Sequence, residues 1–347
     1  MASIWGKLRV FFAAVMTVII LVGCGGSSES ESPAPEVTEG VADGGSDDSS
    51  DGGSNDDDDT NTTEDPVTVA ENKLGAWIWY IDEAGLIRGD HASMAQYLAG
   101  LGVKRVFIKI SDINYQWEAN KITFQGDGVN CGVWQDACEP ENLQFYRDAG
   151  IEPWAWTYND IHSFEEQADM LEAAVRVGYV GYVLDIEEEY NGVSDDLHTL
   201  LSAHRNRLEV LGDIVPENFL LTATSWGNPQ YHGMRIDIID EYVDAHMPQT
   251  YIEKWGSDFI LDIPGTITQG DCEYRELGAT KPVWHIVSHE DKLLTADQLT
   301  EFVRHAGPHA SVWRISDDYL QEEIAAIDWG MQEFQPNECT QTSFDLE

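Results

Sequence analysis

Eight short apolar runs recur along the chain: Leu74–Ile81, Val103–Ile110, Ile151–Tyr158, Tyr179–Ile186, Asn218–Ser225, Val243–Tyr251, Pro282–Ser288 and Ala310–Ile315. Each is rich in β-branched or aromatic residues and reads as a strand. Between most of them the apolar positions switch to helical spacing. Ser163-Phe164-Glu165-Glu166 has the form of a capping box, opening a helix with Phe164, Ala168, Leu171 and Val175 on one face. Leu197, Leu200, Leu201, His204, Leu208 and Leu211 form a second stripe. Thr295-Ala296-Asp297-Gln298 caps a helix carrying Leu299, Phe302 and Val303, while Gly100 or Gly102, and Gly150, are helix stops. Strand-then-helix units repeated eight times over about 280 residues predict an α/β fold, a (β/α)8 TIM barrel. A doubly wound sheet is the alternative, but no Gly-rich phosphate loop follows the first strand to favour it.

The barrel pattern does not begin at Met1. Lys7 and Arg9 precede a 13-residue apolar stretch, Val10 to Val22. That is short for a membrane span, which needs about 20 residues, and it has the layout of a secretory signal. The stretch closes on Leu21-Val22-Gly23-Cys24, which resembles a bacterial lipobox and implies lipidation of Cys24. Residues 25–66 hold 14 acidic residues and no Lys or Arg, among Gly, Ser, Thr, Asn and Pro. No core can form from such a segment, so it is expected to be a disordered, self-repelling tether. The expected organisation is a signal over 1–24, a linker over 25–66 and the barrel over 67–347. The expected location is the bacterial cell envelope, lipid-anchored at the outer membrane and facing the periplasm or the surface. Gly25 follows the cysteine, so the acidic residue that would hold a lipoprotein at the inner membrane is absent.

Charge narrows the partners. Removing the signal's +2 and the linker's −14 from the whole-chain −44 leaves −32 on residues 67–347. So acidic a domain argues against nucleic acid and against other anionic polymers as steered partners. The domain's four cysteines, Cys131, Cys138, Cys272 and Cys339, suit an oxidising compartment. Three pairings are open; Cys131–Cys138 closing a short loop and Cys272–Cys339 tying down the tail are favoured. No His sits at ligand spacing beside them, and neither a metal nor a cofactor is expected.

The candidate chemistry sits at the strand ends, which in a TIM barrel converge on one face. The fourth run ends in Asp185-Ile186-Glu187-Glu188-Glu189, and strand alternation would point Asp185, Glu187 and Glu189 the same way. Other strand ends supply Asp82, Lys109, Asp112, Tyr158, Asp160, Trp226, Gln249, Tyr251, His285, His289, Arg314 and Asp317. Trp77, Trp79, Trp154, Trp156, Trp226, Trp255, Trp284 and Trp313 lie in or just after strands. Sugar rings stack their C–H faces on such side chains, while their hydroxyls need carboxylates and amides. The long segment 111–139, with Trp117, Trp134 and the Cys131/Cys138 pair, is expected to wall the site. Carboxylates flanked by Trp suit glycosidic bond cleavage, which needs an acid for the leaving oxygen and a group to stabilise the oxocarbenium-like centre. Like charge raises a Glu pKa toward that role. Competing readings are carboxylates tied up by Lys109 and Arg314, and a metal hydrolase using His246, His285 and His289.

The stretch Val180-Gly181-Tyr182-Val183-Leu184-Asp185-Ile186-Glu187 resembles the fourth-strand Asp-x-x-Asp-x-Asp-x-Glu of chitinase-like family-18 glycoside hydrolases. Only the last two acids match; the earlier positions are Val180 and Val183. Met247-Pro248-Gln249-Thr250-Tyr251 is similar to that family's Met-x-Tyr region. Asp185-x-Glu187 with Asp82 also looks like family-25 lysozymes. Both families are TIM barrels acting on N-acetylhexosamine polymers. The resemblance implies Glu187 as general acid, Asp185 orienting a substrate acetamide, and Tyr251 hydrogen-bonding it. Glu187 with Asp82 or Glu189 is the open alternative pair. Gln249, Trp79, Trp156, Trp226 and Arg314 complete the expected saccharide-binding set. The two missing acids leave a second function open, a catalytically inactive barrel that binds glycan.

Overall fold

The computed structural model describes residues 67–81, 89–114, 121–315 and 321–340. The signal with Cys24, the linker, Asp82, Trp117 and Asp317 lie outside the described residues. Eight parallel strands close a barrel in sequential order: β1 (Gly75–Ile78), β2 (Arg105–Asp112), β3 (Glu152–Tyr158), β4 (Gly181–Asp185), β5 (Leu220–Trp226), β6 (Ala245–Gln249), β7 (Ile286–Ser288) and β8 (Ser311–Ile315). Six fall wholly within runs read from the sequence, and β2 and β5 extend past theirs at the C-terminal end, to Asp112 and Trp226. Both faces of each strand are covered, one by the barrel interior and one by helices, which is why the strands read as near-continuous apolar runs.

Helices follow most strands. His91–Leu101 is capped by Asp90, whose carboxylate accepts from the Ser93 N–H at 3.1 Å, and ends at Gly102. Phe164–Val177, Asp195–Leu211, Ile263–Glu276 and Ala296–Ala306 are the longer ones. The capping box at Thr295 and Gln298 forms in full. The one expected at Ser163 does not: that residue takes a left-handed conformation and its side chain caps nothing. Gln167 takes over the work at that turn, its amide bonding the Asp160 and His162 carbonyls. After β5 the chain makes only the short helices Pro229–His232 and Ile236–Asp240.

The barrel interior is packed with aromatic rings. Trp77 stacks on Phe107 with centroids 4.4 Å apart, and Trp154 meets Phe107 and Trp284 edge-on at 5.8 and 6.2 Å. Rings this large fit because glycine lies opposite them. A Cβ at Gly181 would stand 2.5 Å from the Trp154 ring, and one at Gly75 would stand 2.6 Å from Phe107. Arg105 closes the N-terminal end, its guanidinium 4.2 Å from the Trp154 ring and ion-paired to Glu152 at 3.1 Å. With the bottom so filled, the barrel interior opens toward the C-terminal strand ends.

Two disulfides match the favoured pairings. Cys131–Cys138 spans the turn Gly132–Cys138, beside the hairpin Thr123–Gln125/Gly128–Asn130. Cys272–Cys339 holds the C-terminal segment against helix Ile263–Glu276. There Asp271 accepts from Asn337 Nδ2 at 2.7 Å and Thr340 Oγ1 at 3.0 Å.

Candidate active site

At the C-terminal mouth the strand ends enclose a cavity of ≈ 450 Å³. Asp185 and Glu187 lie on its floor with Gln249, and Lys109 and Asp112 flank them. Trp77, Trp79, Trp156 and Trp313 form an aromatic wall, and Tyr158, Tyr251 and Glu290 complete the rim. Asp185 ends β4, and its backbone N–H donates to Asn159 Oδ1 at 3.0 Å. Asn159 is held in turn by its own donation to Gln167 Oε1 at 2.9 Å. The strand end that carries Asp185 is therefore pinned by an amide relay behind it.

The central contact is made by Gln249 at the end of β6. Its Nε2 donates to Asp185 Oδ1 at 3.1 Å and to Glu187 Oε1 at 2.9 Å. One amide nitrogen has two hydrogens, so each carboxylate takes one. Asp185 and Gln249 are each only 8% exposed. Burial first, and then the charge of Glu187, pushes the Asp185 carboxyl well above the usual range. Burial also raises Glu187, with Glu189 and Glu188 adding to it; the Gln249 bond and the Lys109 charge pull the other way. Two acids so placed share protons at a pH where free carboxyls are ionised.

Lys109 is the counter-charge. Its ammonium donates to Asp112 Oδ2 at 2.8 Å and lies 4.7 Å from the ring centroids of both Trp79 and Trp156. Burial holds its pKa below the usual lysine range, while Asp112, Asp185 and Glu187 oppose that. The stapled segment reaches the same place: Trp134 stacks on Tyr80, and Tyr80 stacks on Trp79, at 5.9 and 6.0 Å.

Some expectations are corrected. The carboxylate ladder stops early, because β4 ends at Asp185 and a 3-10 turn, Glu188–Tyr190, follows. Buried Tyr190 anchors that turn through its bond to the Asp160 carbonyl. Glu189 is thereby turned off the strand; it accepts from Tyr158 at 2.6 Å and does not line the cavity. The Trp set divides. Trp154 and Trp284 fill the barrel bottom, Trp226 stacks on His232 at 4.1 Å while bonding Asn191, and Trp255 belongs to a second cavity. Arg314 stands behind the rim, donating to Glu290 Oε1 at 3.0 Å. His246 pairs with Asp240, and His285 with Asp271 and Thr250, on the outer side of the strands. His289 is fully buried, 3.7 Å from Glu323. These three histidines do not converge. Glu290 and Asn114 were missed in the sequence; Glu290 carries a legible signal, lying two positions beyond Ser288 at the end of β7.

This is an α/β TIM barrel with a carboxylate pair at its mouth. No protein-family model and no curated protein matches the sequence. Solved structures match it through the barrel. The endo-β-1,4-mannanase of Thermotoga petrophila is 11% identical, with a TM-score of 0.51, over 70% of this chain and 68% of that one. A GH18 chitinase from Pseudoalteromonas aurantia is 11% identical with a TM-score of 0.49, over 74% of this chain and 100% of its own. The spore cortex-lytic enzyme SleL of Bacillus megaterium is 9% identical with a TM-score of 0.47, over 78% and 76%. At such identities the likeness is one of fold, a barrel resembling those of glycoside hydrolases.

Proposed function

We propose that this protein hydrolyses glycosidic bonds in a polysaccharide, with Glu187 as the general acid and Asp185 as its partner. The observation that carries the proposal is the bonding of both carboxylates to one Gln249 amide, on the floor of a Trp-walled mouth. Burial and like charge keep a proton on the pair, and an acid is what the leaving oxygen requires. Tyr251 lines the same cavity, and burial with the charges of Asp185 and Glu187 keeps its hydroxyl protonated. It can therefore donate to a substrate acetamide, which makes N-acetylhexosamine polymers the proposed substrate class. Trp79 and Trp313, half-buried at the mouth, offer ring surface for the sugar, whereas Trp156 is 2% exposed and lies beneath Lys109.

The N-terminal proposals rest on sequence. Cys24 is lipidated and becomes the N-terminus once residues 1–23 are removed, and residues 25–66 tether the barrel to a bacterial envelope membrane. Incubating the full chain with chitin oligomers, peptidoglycan and mixed bacterial and algal polysaccharides, with mass spectrometry of new reducing ends, tests the activity. Products from at least one N-acetylhexosamine polymer are expected. Retained binding with no product from any of them would favour a glycan-binding barrel instead, the reading that the valines at positions 180 and 183 support.

A further inference from the structure

A second cavity, of ≈ 780 Å³, lies between the turn after β5 and the helices after β6. We propose that it is a separate binding site for an uncharged glycan, and that it takes a further stretch of the chain held at the mouth; the second half of this rests on the reading above. Tyr231 stands 84% exposed on one side, facing a wall that includes Trp255 and Phe259. Trp255 and Phe259 are half-buried and meet edge-on at 5.5 Å, and Tyr231 meets His232 edge-on at 5.1 Å. An isolated exposed aromatic needs no explanation, but three around one cleft leave part of their surface open to a ligand. Between them lie the amides of Asn228 and Gln269, for neither of which a hydrogen bond is made within the described residues. Those amides supply donors and acceptors to hydroxyl groups.

The charge of the lining selects against other ligands. No Lys, Arg or His is found among the described residues that line it. An anionic ligand, such as a phosphate or a uronic acid polymer, would have no counter-charge. Its one carboxylate, Glu273, already accepts from the Gln230 N–H at 2.6 Å. One carboxylate does not hold a divalent cation, which needs several oxygen ligands. An uncharged polyol with apolar ring faces fits what remains.

The two cavities share a wall. A Cβ on Gly227 would stand 2.6 Å from the Gln249 carbonyl oxygen and 2.8 Å from the Trp255 ring. The backbone of residue 227 thus packs directly on the strand end whose side chain bridges Asp185 and Glu187. Only four positions separate Tyr251, on the mouth, from Trp255, in the second cleft, and the single turn Ile252–Trp255 spans them. A saccharide chain leaving the mouth over that turn would arrive on Trp255 and Tyr231.

The test uses the full chain carrying Glu187→Gln, titrated calorimetrically with chitohexaose, mannohexaose and cellohexaose. Tyr231→Ala and Asn228→Ala are compared with Trp79→Ala at the mouth. Because Tyr231 is largely solvent-exposed, its truncation leaves the fold intact. The proposal expects at least one hexasaccharide to bind, and Tyr231→Ala to weaken it about five- to tenfold, the scale of one lost aromatic contact. Weakening by Tyr231→Ala with no effect of Trp79→Ala would sustain the second site while removing the mouth from saccharide binding. Weakening by Trp79→Ala alone, or no binding of any hexasaccharide, would overturn the second site.

Discussion

Gln249 Nε2 donates to Glu187 Oε1 at 2.9 Å while its other hydrogen goes to Asp185. Two oxygens bound to one nitrogen lie at most about 6 Å apart, short of the inverting spacing of about 6.5–9.5 Å and so on the side of retention. The first-formed product is therefore expected to keep the anomeric configuration of the substrate. Proton NMR of the reducing end, recorded before mutarotation, checks this; an inverted product would require a different acid–base pair.

The pH profile follows from the charges around Glu187. Activity needs Glu187 protonated, so it falls as pH rises through its elevated pKa. Lys109 pulls that pKa down, so Lys109→Met is expected to move the alkaline limb of kcat/KM to higher pH. Glu189 pushes it up, so Glu189→Gln is expected to move the same limb to lower pH. Opposite shifts in the two variants are the signature; shifts of one sign would show that at least one of these charges does not act through Glu187.

The same carboxyls oppose folding stability. Asp185 and Glu187 have folded-state pKa values above their unfolded values, so the folded protein binds more protons once pH exceeds the unfolded value, about 4. Stability contributed by these groups is present below that pH and is lost as pH rises through the folded pKa. Glu187→Gln keeps the shape and removes the charge. Its urea midpoint is expected to exceed that of the wild type at pH 7, with the gain shrinking toward pH 4.

The disulfides differ in expected worth. Cys272–Cys339 closes a separation of 67 residues, and Cys131–Cys138 one of only 7. Chain entropy assigns about 4 kcal/mol to the first and about 2.5 kcal/mol to the second. Paired Ser substitutions followed by urea unfolding should preserve that order. The smaller loop carries Trp134, which stacks on Tyr80, so its loss is expected to affect saccharide binding more than its modest stability cost suggests.

The barrel was legible because all eight strands are buried on both faces and leave near-continuous apolar runs. Asp185, Glu187, Lys109 and Tyr251 were legible because strand ends converge in this fold. Glu189 was misplaced because strand alternation was carried one turn too far, past a break set by the distant contact of Tyr190 with Asp160. The bridging role of Gln249 left no local trace, since it depends on two acids 62 and 64 positions earlier in the chain. Nor could spacing tell the Trp residues apart. Trp154 and Trp156 are alternate residues of β3 facing the same interior, yet one sits over Arg105 at the bottom and the other faces the mouth.

The most direct test compares the full chain with its Glu187→Gln variant on the polysaccharide that the wild type cleaves. The account predicts that turnover falls by about 10²–10⁴-fold, the loss typical of removing a general acid. Calorimetric affinity for the oligosaccharide should stay within about twofold, since Gln preserves the side-chain shape. Undiminished turnover in the variant would contradict the assignment of Glu187, and with it the account of the mouth.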